Sequence, residues 1–518
     1  MQVTMTPRRI LRRAVKLYED KVAVVDGELR LTYKQVEDRV NQVVHSLDRL
    51  DVPFGARVAL LDYNTYRYME LYFGLAQSKR VLLPLNIRLF PDDFAYILND
   101  SEADMIIFHN DFKPILQQII HQLDTVTHFY IADGEADQAW ISGTYEDLIN
   151  NSSKDTICYE PDDENDTLNL YYTSGTTGRP KGVMLTHRNI YTNALSTIIS
   201  FKLEDATVWY HVAPLFHLAD AFFIWSVTFQ GGRHVMQRQF EPRRVLKTIE
   251  QEKVSSTMMV PAMINFLLDV PDLQSFDVSP LQWIMVGGAP MSPANAKRLM
   301  DNLGCQYVSG YGLTETTPLL TVGYLKDTLQ EASLDQQLDH ITKTGLEVVG
   351  VDLKVVDALD REVPWDNETI GEIIVRGDNV MKGYWKLPEE TDKAFQGGYF
   401  YTGDLATVDE EGYIFIVDRA KDIIVSGGEN ISSVEIENAL YAHPAVLECA
   451  VLAMPHETWG EVPKAVISVK QGQEVSEQEL VEHCQKKLPK FKVPKRIEFV
   501  EELPKTGSGK IKKVDLRG

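Results

Sequence analysis

Two rhythms of apolar and polar residues alternate along this chain. Residues 22–25, 57–61, 81–84 and 103–108 are short, nearly continuous apolar runs, the pattern of strands buried on both faces. Between them the period lengthens. Thr32-Tyr33-Lys34-Gln35 sets a hydroxyl three residues before an amide, a capping-box order. Val36, Val40, Val43 and Leu47 then fall on one helical face. Further helices are predicted over 66–76 and 91–98. Past residue 182 the alternation resumes, with helices over 189–200, 242–251 and 293–303 and strands over 208–212, 255–260 and 283–286. Strands alternating with helices imply βαβ units and a mostly parallel sheet. From about 346 the texture changes to short β runs broken by Gly and Asp, at 371–375, 398–401 and 412–417. A compact α+β segment follows, with helices over 434–441 and 476–488 and strands over 446–451 and 462–469. The expected fold class is α/β: a large N-terminal domain of mostly parallel sheets flanked by helices, a β-rich subdomain, and a small C-terminal α+β domain.

Composition narrows the class. At 518 residues the chain exceeds one ordinary core, so two or more domains are expected. Apolar content of 44% and charged content of 25% are those of a globular protein. A net charge of −23 argues against general binding to nucleic acid or anionic membranes, though not against a nucleotide held at a local cationic site. Cys158, Cys305, Cys449 and Cys484 lie far apart without metal-ligand spacing, which fits a reducing cytoplasm. The N-terminal stretch, with Arg8, Arg9, Arg12 and Arg13, reads as a short amphipathic helix rather than a secretory signal. The longest apolar run, over 221–229, is too short for a membrane span.

Chemistry concentrates in a few glycine-rich stretches. From Thr173 to Gly182 there are three glycines, four hydroxyls and two cations, Arg179 and Lys181, directly after a strand-like run. Such a turn can aim backbone N–H groups and hydroxyls at phosphate oxygens. It is not the G-x-x-x-x-G-K-[ST] loop, because Arg179-Pro180-Lys181-Gly182 follows Gly178. Tyr311-Gly312-Leu313-Thr314-Glu315-Thr316 sets a carboxylate beside hydroxyls, a combination suited to Mg²⁺, whereas a Glu taken alone is usually just solvated. Asp404, after a Gly turn, can accept from ribose hydroxyls. Ser426-Gly427-Gly428-Glu429-Asn430 admits close approach of a ligand, and reads equally well as a polar turn. In Pro504-Lys505-Thr506-Gly507-Ser508-Gly509-Lys510, two glycines make Lys510 a mobile cation. From Lys486 onward eleven Lys/Arg face four Asp/Glu, a tail that suits an anionic, phosphate-bearing ligand or simply solvent.

Together these stretches resemble the signatures of the adenylate-forming (AMP-binding) superfamily, in the family's order and across essentially the whole chain. The resemblance implies an acyl-CoA synthetase using ATP, Mg²⁺ and coenzyme A. It implies that Thr173, Ser174, Gly175, Thr176, Thr177, Gly178 and Lys181 hold the ATP phosphates, with Thr176 and Glu315 as metal ligands. Gly288, Ala289 and Pro290 would lie along adenine and Tyr311 would stack on it, with Gly312 beside it. Thr314 would contact the acyl phosphate, and Asp404 with Arg419 would hold the ribose. Lys510 would bridge the attacking carboxylate and the α-phosphate. Gly427, Gly428 and Glu429 would border the pantetheine of CoA. Lys421 would be a hinge, dividing the chain into an adenylation domain over 1–420 and a mobile domain over 421–518.

The resemblance also puts His217 where the acyl and thiol channels meet, as a gate, while a lone histidine is more often a satisfied core residue. Phe216-His217 stands where amino-acid-activating relatives carry Phe-Asp, which argues against an amino acid substrate. The pocket is expected between 210 and 225, near Val286 and from 309 to 319. His217, Leu218, Ala221, Phe222 and Phe223 give it an apolar character that suits a medium- or long-chain fatty acid. Aryl and short branched or thioether acids remain open. So do a fatty acyl-AMP ligase serving a carrier protein, a luciferase-like oxygenase and a non-catalytic nucleotide binder. The expected partners are small molecules, with no nucleic acid and no transmembrane segment, and a homodimer is allowed.

Overall fold

In the computed structural model the described residues are 3–173, 179–427, 429–505 and 511–517, without the side chains of Glu429 and Asn430. The chain folds as two compact units, one of 1–352 and 376–398, the other of 353–375 and 399–518.

The first unit holds two large sheets. In one, Val81–Pro84, Arg57–Leu61, Ala103–Phe108, His128–Ile131 and Gly143–Thr144 run parallel. Thr167–Thr173 continues the parallel set beside Val81–Pro84, and Lys181–Thr186 and Gly383–Tyr384 then add antiparallel. In the other, Val22–Asp26, Arg233–Met236, Val208–His211, Ser256–Met259, Trp283–Val286 and Gln306–Gly312 form the parallel centre. Antiparallel strands close both of its edges. The parallel alternation predicted from the apolar runs is therefore present, and the antiparallel edges are what it did not reveal. The strand Lys181–Thr186 was hidden because its first residues read as loop chemistry.

Helix Tyr33–Arg49 starts at the Thr32 capping box and buries Val36, Val40, Val43 and Leu47. Helix Leu218–Gln230 is different, with ten of its thirteen residues buried. It therefore has no polar stripe from which a helical period could be read. Trp225 packs edge-on against Tyr72 and Phe73, and Phe223 stacks on Trp209. No described helix is long and apolar enough to cross a membrane.

In the second unit Val351–Val356, Gly371–Gly377, Tyr399–Val408 and Ile414–Arg419 lie side by side in that order. A further sheet pairs Val446–His456 with Gly460–Val469, and helices Ser433–Tyr441 and Glu477–Gln485 bury Ile436, Leu440, Leu480 and Cys484 in its core. Both strands run longer than the sequence suggests, since their outer ends carry too few apolar residues to be read as strand.

The turn after Arg57–Leu61 is fixed by a buried ion pair. Arg67 Nε donates to Asp62 Oδ2 at 2.7 Å, and Asp62 also accepts from Thr65 Oγ1 and Tyr63 N, both at 2.8 Å. Removing one member strands a buried charge. We expect Arg67→Ala to cost roughly 3–5 kcal/mol, read as a lowered midpoint of the first unfolding transition in urea.

Candidate active site

The site is built where parallel strands end. Trp283–Val286 runs into Gly287-Gly288-Ala289-Pro290, and its neighbour Gln306–Gly312 ends at Tyr311 and Gly312. Carboxyl edges of such sheets are where α/β proteins place ligands. The glycines allow the crowding. A Cβ on Gly287 would stand 3.2 Å from Gly310 O, and Gly288 has φ +81°. Ala289 and Pro290 are exposed. A Cβ on Gly312 would fall 1.6 Å from Pro318 O, a backbone atom that cannot step aside.

Gly312 thereby lets the chain close on itself. Leu313 N donates to Pro318 O at 3.1 Å, enclosing the short turn Thr314–Thr316 that carries Glu315. Buried Asn379 braces the turn, donating to Thr316 O at 2.9 Å and Leu319 O at 3.2 Å, while Thr317 Oγ1 donates to Asn379 O at 2.6 Å.

The predicted phosphate loop lies between paired strands, with Thr173 opposite Lys181. Ser174, Gly175, Thr176, Thr177 and Gly178 lie outside the described residues, as do Gly428 and Lys510. Lys181 Nζ sits 2.7 Å from Glu390 Oε2 and 5.3 Å from the centroid of the Tyr384 ring. Tyr384 in turn donates its hydroxyl to Glu315 Oε1 at 3.0 Å. Burial, and then the Glu315 carboxylate, push the Tyr384 phenol far above its usual range, so it stays a donor. Hydrogen bonds from Lys181 and then Lys393 pull Glu390 down to about 2. The cation after the phosphate loop and the carboxylate expected to hold metal thus meet on Tyr384. Glu315 with the Thr314 and Tyr384 hydroxyls is an all-oxygen donor set, of the kind Mg²⁺ takes alongside substrate phosphates.

His217 is partly buried and caps helix Leu218–Gln230, its N–H donating to Pro214 O at 3.1 Å. Leu218, Ala221, Phe222 and Phe223 are buried, and Phe223 is committed to the aromatic stack with Trp209.

In the second unit Arg419 Nε lies 2.9 Å from Asp404 Oδ1, on paired strands. Gly403 turns at φ +73°, its N–H held by Glu372 Oε1 at 2.9 Å. Gly427 has φ +60° and donates to Trp459 O at 2.8 Å; a Cβ there would meet the Trp459 ring at 2.8 Å. Glu429 lies in the short strand Glu429–Ile431. Lys421 is exposed, and its carbonyl accepts from Arg517 Nη2 at 3.0 Å.

Sequence reasoning named Lys181 and Glu315, which meet on Tyr384, and did not name Tyr384, Glu390 or Asn379. No motif marked these three. Gly383-Tyr384-Trp385 reads as a loop, and only the pairing of Tyr384 with Val183 brings it to the site.

A strand edge lined with close glycines, a phosphate-type loop and an acidic turn define a nucleotide-activating enzyme of the adenylate-forming class. The chain belongs to the AMP-binding enzyme family, whose model matches residues 11–385, with the AMP-binding enzyme C-terminal domain matching 435–510. Like the CoA ligases of this family, it uses ATP, Mg²⁺ and CoA. It is 35% identical to the peroxisomal butyrate–CoA ligase AAE11 of Arabidopsis thaliana, over 99% of this chain and 93% of that one. An anthranilate CoA ligase solved with anthranoyl-AMP superposes with a TM-score of 0.88 at 28% identity, covering 100% of this chain and 97% of the other. A fatty acyl CoA synthetase of Mycobacterium tuberculosis gives a TM-score of 0.76 at 31% identity, covering 99% and 98%.

Two outcomes test the geometry. Gly312→Ala should destabilise the first unit by about 1–3 kcal/mol through overpacking, seen as a lower melting temperature. The Glu390 pKa is depressed, so the stabilising contact with Lys181 is present above the ordinary carboxylate range and is lost only as pH falls toward about 2. Glu390→Gln should therefore change the level of activity between pH 5 and 8 without moving any inflection of the pH profile.

Proposed function

We propose that this enzyme activates a short-chain or aromatic monocarboxylic acid to its CoA thioester. The observation that carries the reading is the shared contact of Lys181 and Glu315 with Tyr384, which gathers phosphate-binding and metal-binding chemistry on one strap. In the first step an acid oxygen attacks the α-phosphorus of ATP, the bond to the β-phosphate breaks, and acyl-AMP and pyrophosphate form. Lys181, Lys510 and the hydroxyls of Thr173, Ser174, Thr176 and Thr177 balance the charge that spreads over the phosphate oxygens. Mg²⁺ would be held by Glu315 and Thr176 and would supply further charge neutralisation there. Thr314 contacts the acyl phosphate, and Tyr311 and Gly312, with Gly288, Ala289 and Pro290, hold adenine. Asp404 and Arg419 hold the ribose. In the second step the C-terminal domain, 421–518, turns about Lys421 and withdraws Lys510. Gly427, Gly428 and Glu429 then border the thiol, whose sulfur attacks the acyl carbonyl and expels AMP. A lid-type movement of this kind lets one site serve two half-reactions.

The acid is argued from packing. Phe223 is spent on Trp209 and Trp225 on Tyr72 and Phe73, so part of the apolar tally belongs to the core rather than to a substrate channel. The butyrate and anthranilate ligases among its relatives support the same size of acid. A medium- or long-chain fatty acid is the second reading, favoured by the likeness to the fatty acyl CoA synthetase. The four cysteines are free thiols, which supports a cytoplasmic setting, although the butyrate ligase is named as peroxisomal. A homodimer belongs to the same proposal and is checked by light scattering.

CoA-dependent AMP release, measured with Mg-ATP across acids from acetate to palmitate plus benzoate and anthranilate, tests the substrate. Each buried methylene contributes about 0.8 kcal/mol, so pocket depth emerges as a chain-length optimum. A maximum at short or aromatic acids is expected; one at medium or long chains would transfer the assignment to the second reading. Pyrophosphate release without CoA consumption would mean a carrier-protein ligase instead. Lys510→Ala should slow the first step on the order of 10²–10³ and leave thioester formation from supplied acyl-AMP nearly intact. Equal loss in both steps would defeat the alternation about Lys421.

A further inference from the structure

The loop 212–217, which leads to His217, is held from both sides by buried side chains that carry no other evident task. Asn64 follows the strand Arg57–Leu61 of the other sheet and is 4% exposed. Its Nδ2 donates to His211 O at 3.0 Å and to Ala213 O at 2.7 Å, and its Oδ1 accepts from Leu215 N at 2.8 Å. One amide thus satisfies three backbone groups of an irregular segment, groups that would otherwise be buried unpaired. Tyr72 adds a fourth bond, its hydroxyl donating to Leu215 O at 3.2 Å. The Asp62–Arg67 pair fixes the turn that presents Asn64.

The ends of the loop are bridged separately. His211 closes the strand before it and Asp220 lies in the first turn of the helix after it. Both are completely buried, with His211 Nδ1 3.2 Å from Asp220 Oδ2. Trp209 Nε1 donates to Asp220 Oδ1 at 2.9 Å. Beyond His211 the chain of bonds continues through His234, whose Nδ1 lies 3.0 Å from His211 Nε2, to Thr228 Oγ1 at 2.9 Å from His234 Nε2. An ionised Asp220 only accepts, so the proton of that first bond sits on His211 Nδ1. A sequence scan has no means of singling out this Asp–His–His–Thr chain, because its members are 211, 220, 228 and 234 and belong to no motif.

We infer that Asn64 and the His211–Asp220 pair are positioning residues that hold the loop 212–217 in one shape and so set which acid the enzyme accepts. The inference rests on the reading that this loop borders the acid pocket. Holding a loop matters because a small misplacement at a binding wall costs far more than the contact itself. The adenosine and phosphate contacts proposed above come from other segments, so the acid and ATP should respond differently.

Chemistry gives a test that mere destabilisation would not pass. Asp220→Asn can keep the bridge: its Oδ1 still accepts from Trp209, its Nδ2 donates to His211 Nδ1, and both histidines reverse tautomer, ending with His234 donating to the Thr228 hydroxyl oxygen. Asp220→Ala cannot. The experiment measures KM for acid and for ATP, together with deuterium exchange of the 211–218 peptide, in the full-length wild type and in Asn64→Ala, Asp220→Ala and Asp220→Asn. Asn64→Ala and Asp220→Ala are expected to raise KM for the acid tenfold or more with KM for ATP within twofold. They should also narrow the preference between best and second acid and speed exchange in the peptide. Asp220→Asn should stay close to wild type in all four. Acid and ATP KM rising together, or Asp220→Asn behaving as Asp220→Ala, overturns the inference. If the wild type turns over no acid, the ligase reading fails, and exchange alone decides the tether: unchanged exchange in Asn64→Ala refutes it and faster exchange upholds it. Should Asn64→Ala not fold, the contrast between Asp220→Ala and Asp220→Asn decides in its place.

Discussion

The strap over 381–385 is the interaction on which the site depends. Met381 N donates to Glu315 O at 2.8 Å, Lys382 N to Met184 O at 3.0 Å and Trp385 N to Gly182 O at 2.7 Å. It therefore bonds to the acidic turn of one sheet and to the strand behind the phosphate loop of the other. Backbone bonds of this kind are insensitive to side-chain identity, and when buried they are obligatory. The strap thus adds Tyr384, the side chain that meets both Lys181 and Glu315, where the strand Lys181–Thr186 already packs against the turn Thr314–Thr316.

Around that strap the molecule places polar side chains as braces. Asn379 holds the turn of Glu315, Asn64 holds the approach to His217, and Asp62 with Arg67 and Thr65 holds the turn in which Asn64 stands. Asparagine suits the first two tasks because one amide both donates and accepts. The two asparagines are buried and bond to backbone, so their contribution is to position rather than to react. They fix irregular segments at the edge of two regular sheets, where no ladder of strand bonds can do so.

Much of the fold was legible in the chain. The buried parallel strands announced themselves as apolar runs, and helix Tyr33–Arg49 by its capping box and its period. Helix Leu218–Gln230 gave no such sign, since a segment apolar on every side has no face to detect. Lys181 and Glu315 in the first unit, and Asp404 in the second, drew attention because each stands in a dense glycine and hydroxyl context. Tyr384, Glu390 and Asp220 stand in ordinary contexts and acquire meaning only from neighbours distant in sequence. Phe223, read from sequence as a pocket residue, is stacked on Trp209, because an apolar side chain looks the same whether it faces a ligand or a tryptophan.

The sequence by itself determined the local chemistry: which turns can cradle phosphate, which carboxylates sit among hydroxyls, and where strands and amphipathic helices begin. It could do so because backbone freedom, capping and periodicity are properties of neighbouring residues. Tertiary structure alone decided that Lys181 and Glu315 share Tyr384, that Asn64 reaches across to the loop before His217, and that a carboxylate, two histidines and a threonine line up in the core. Those are contacts between segments tens to hundreds of residues apart or between faces of one helix and two strands. Their geometry follows from sheet order and register, which no local pattern encodes.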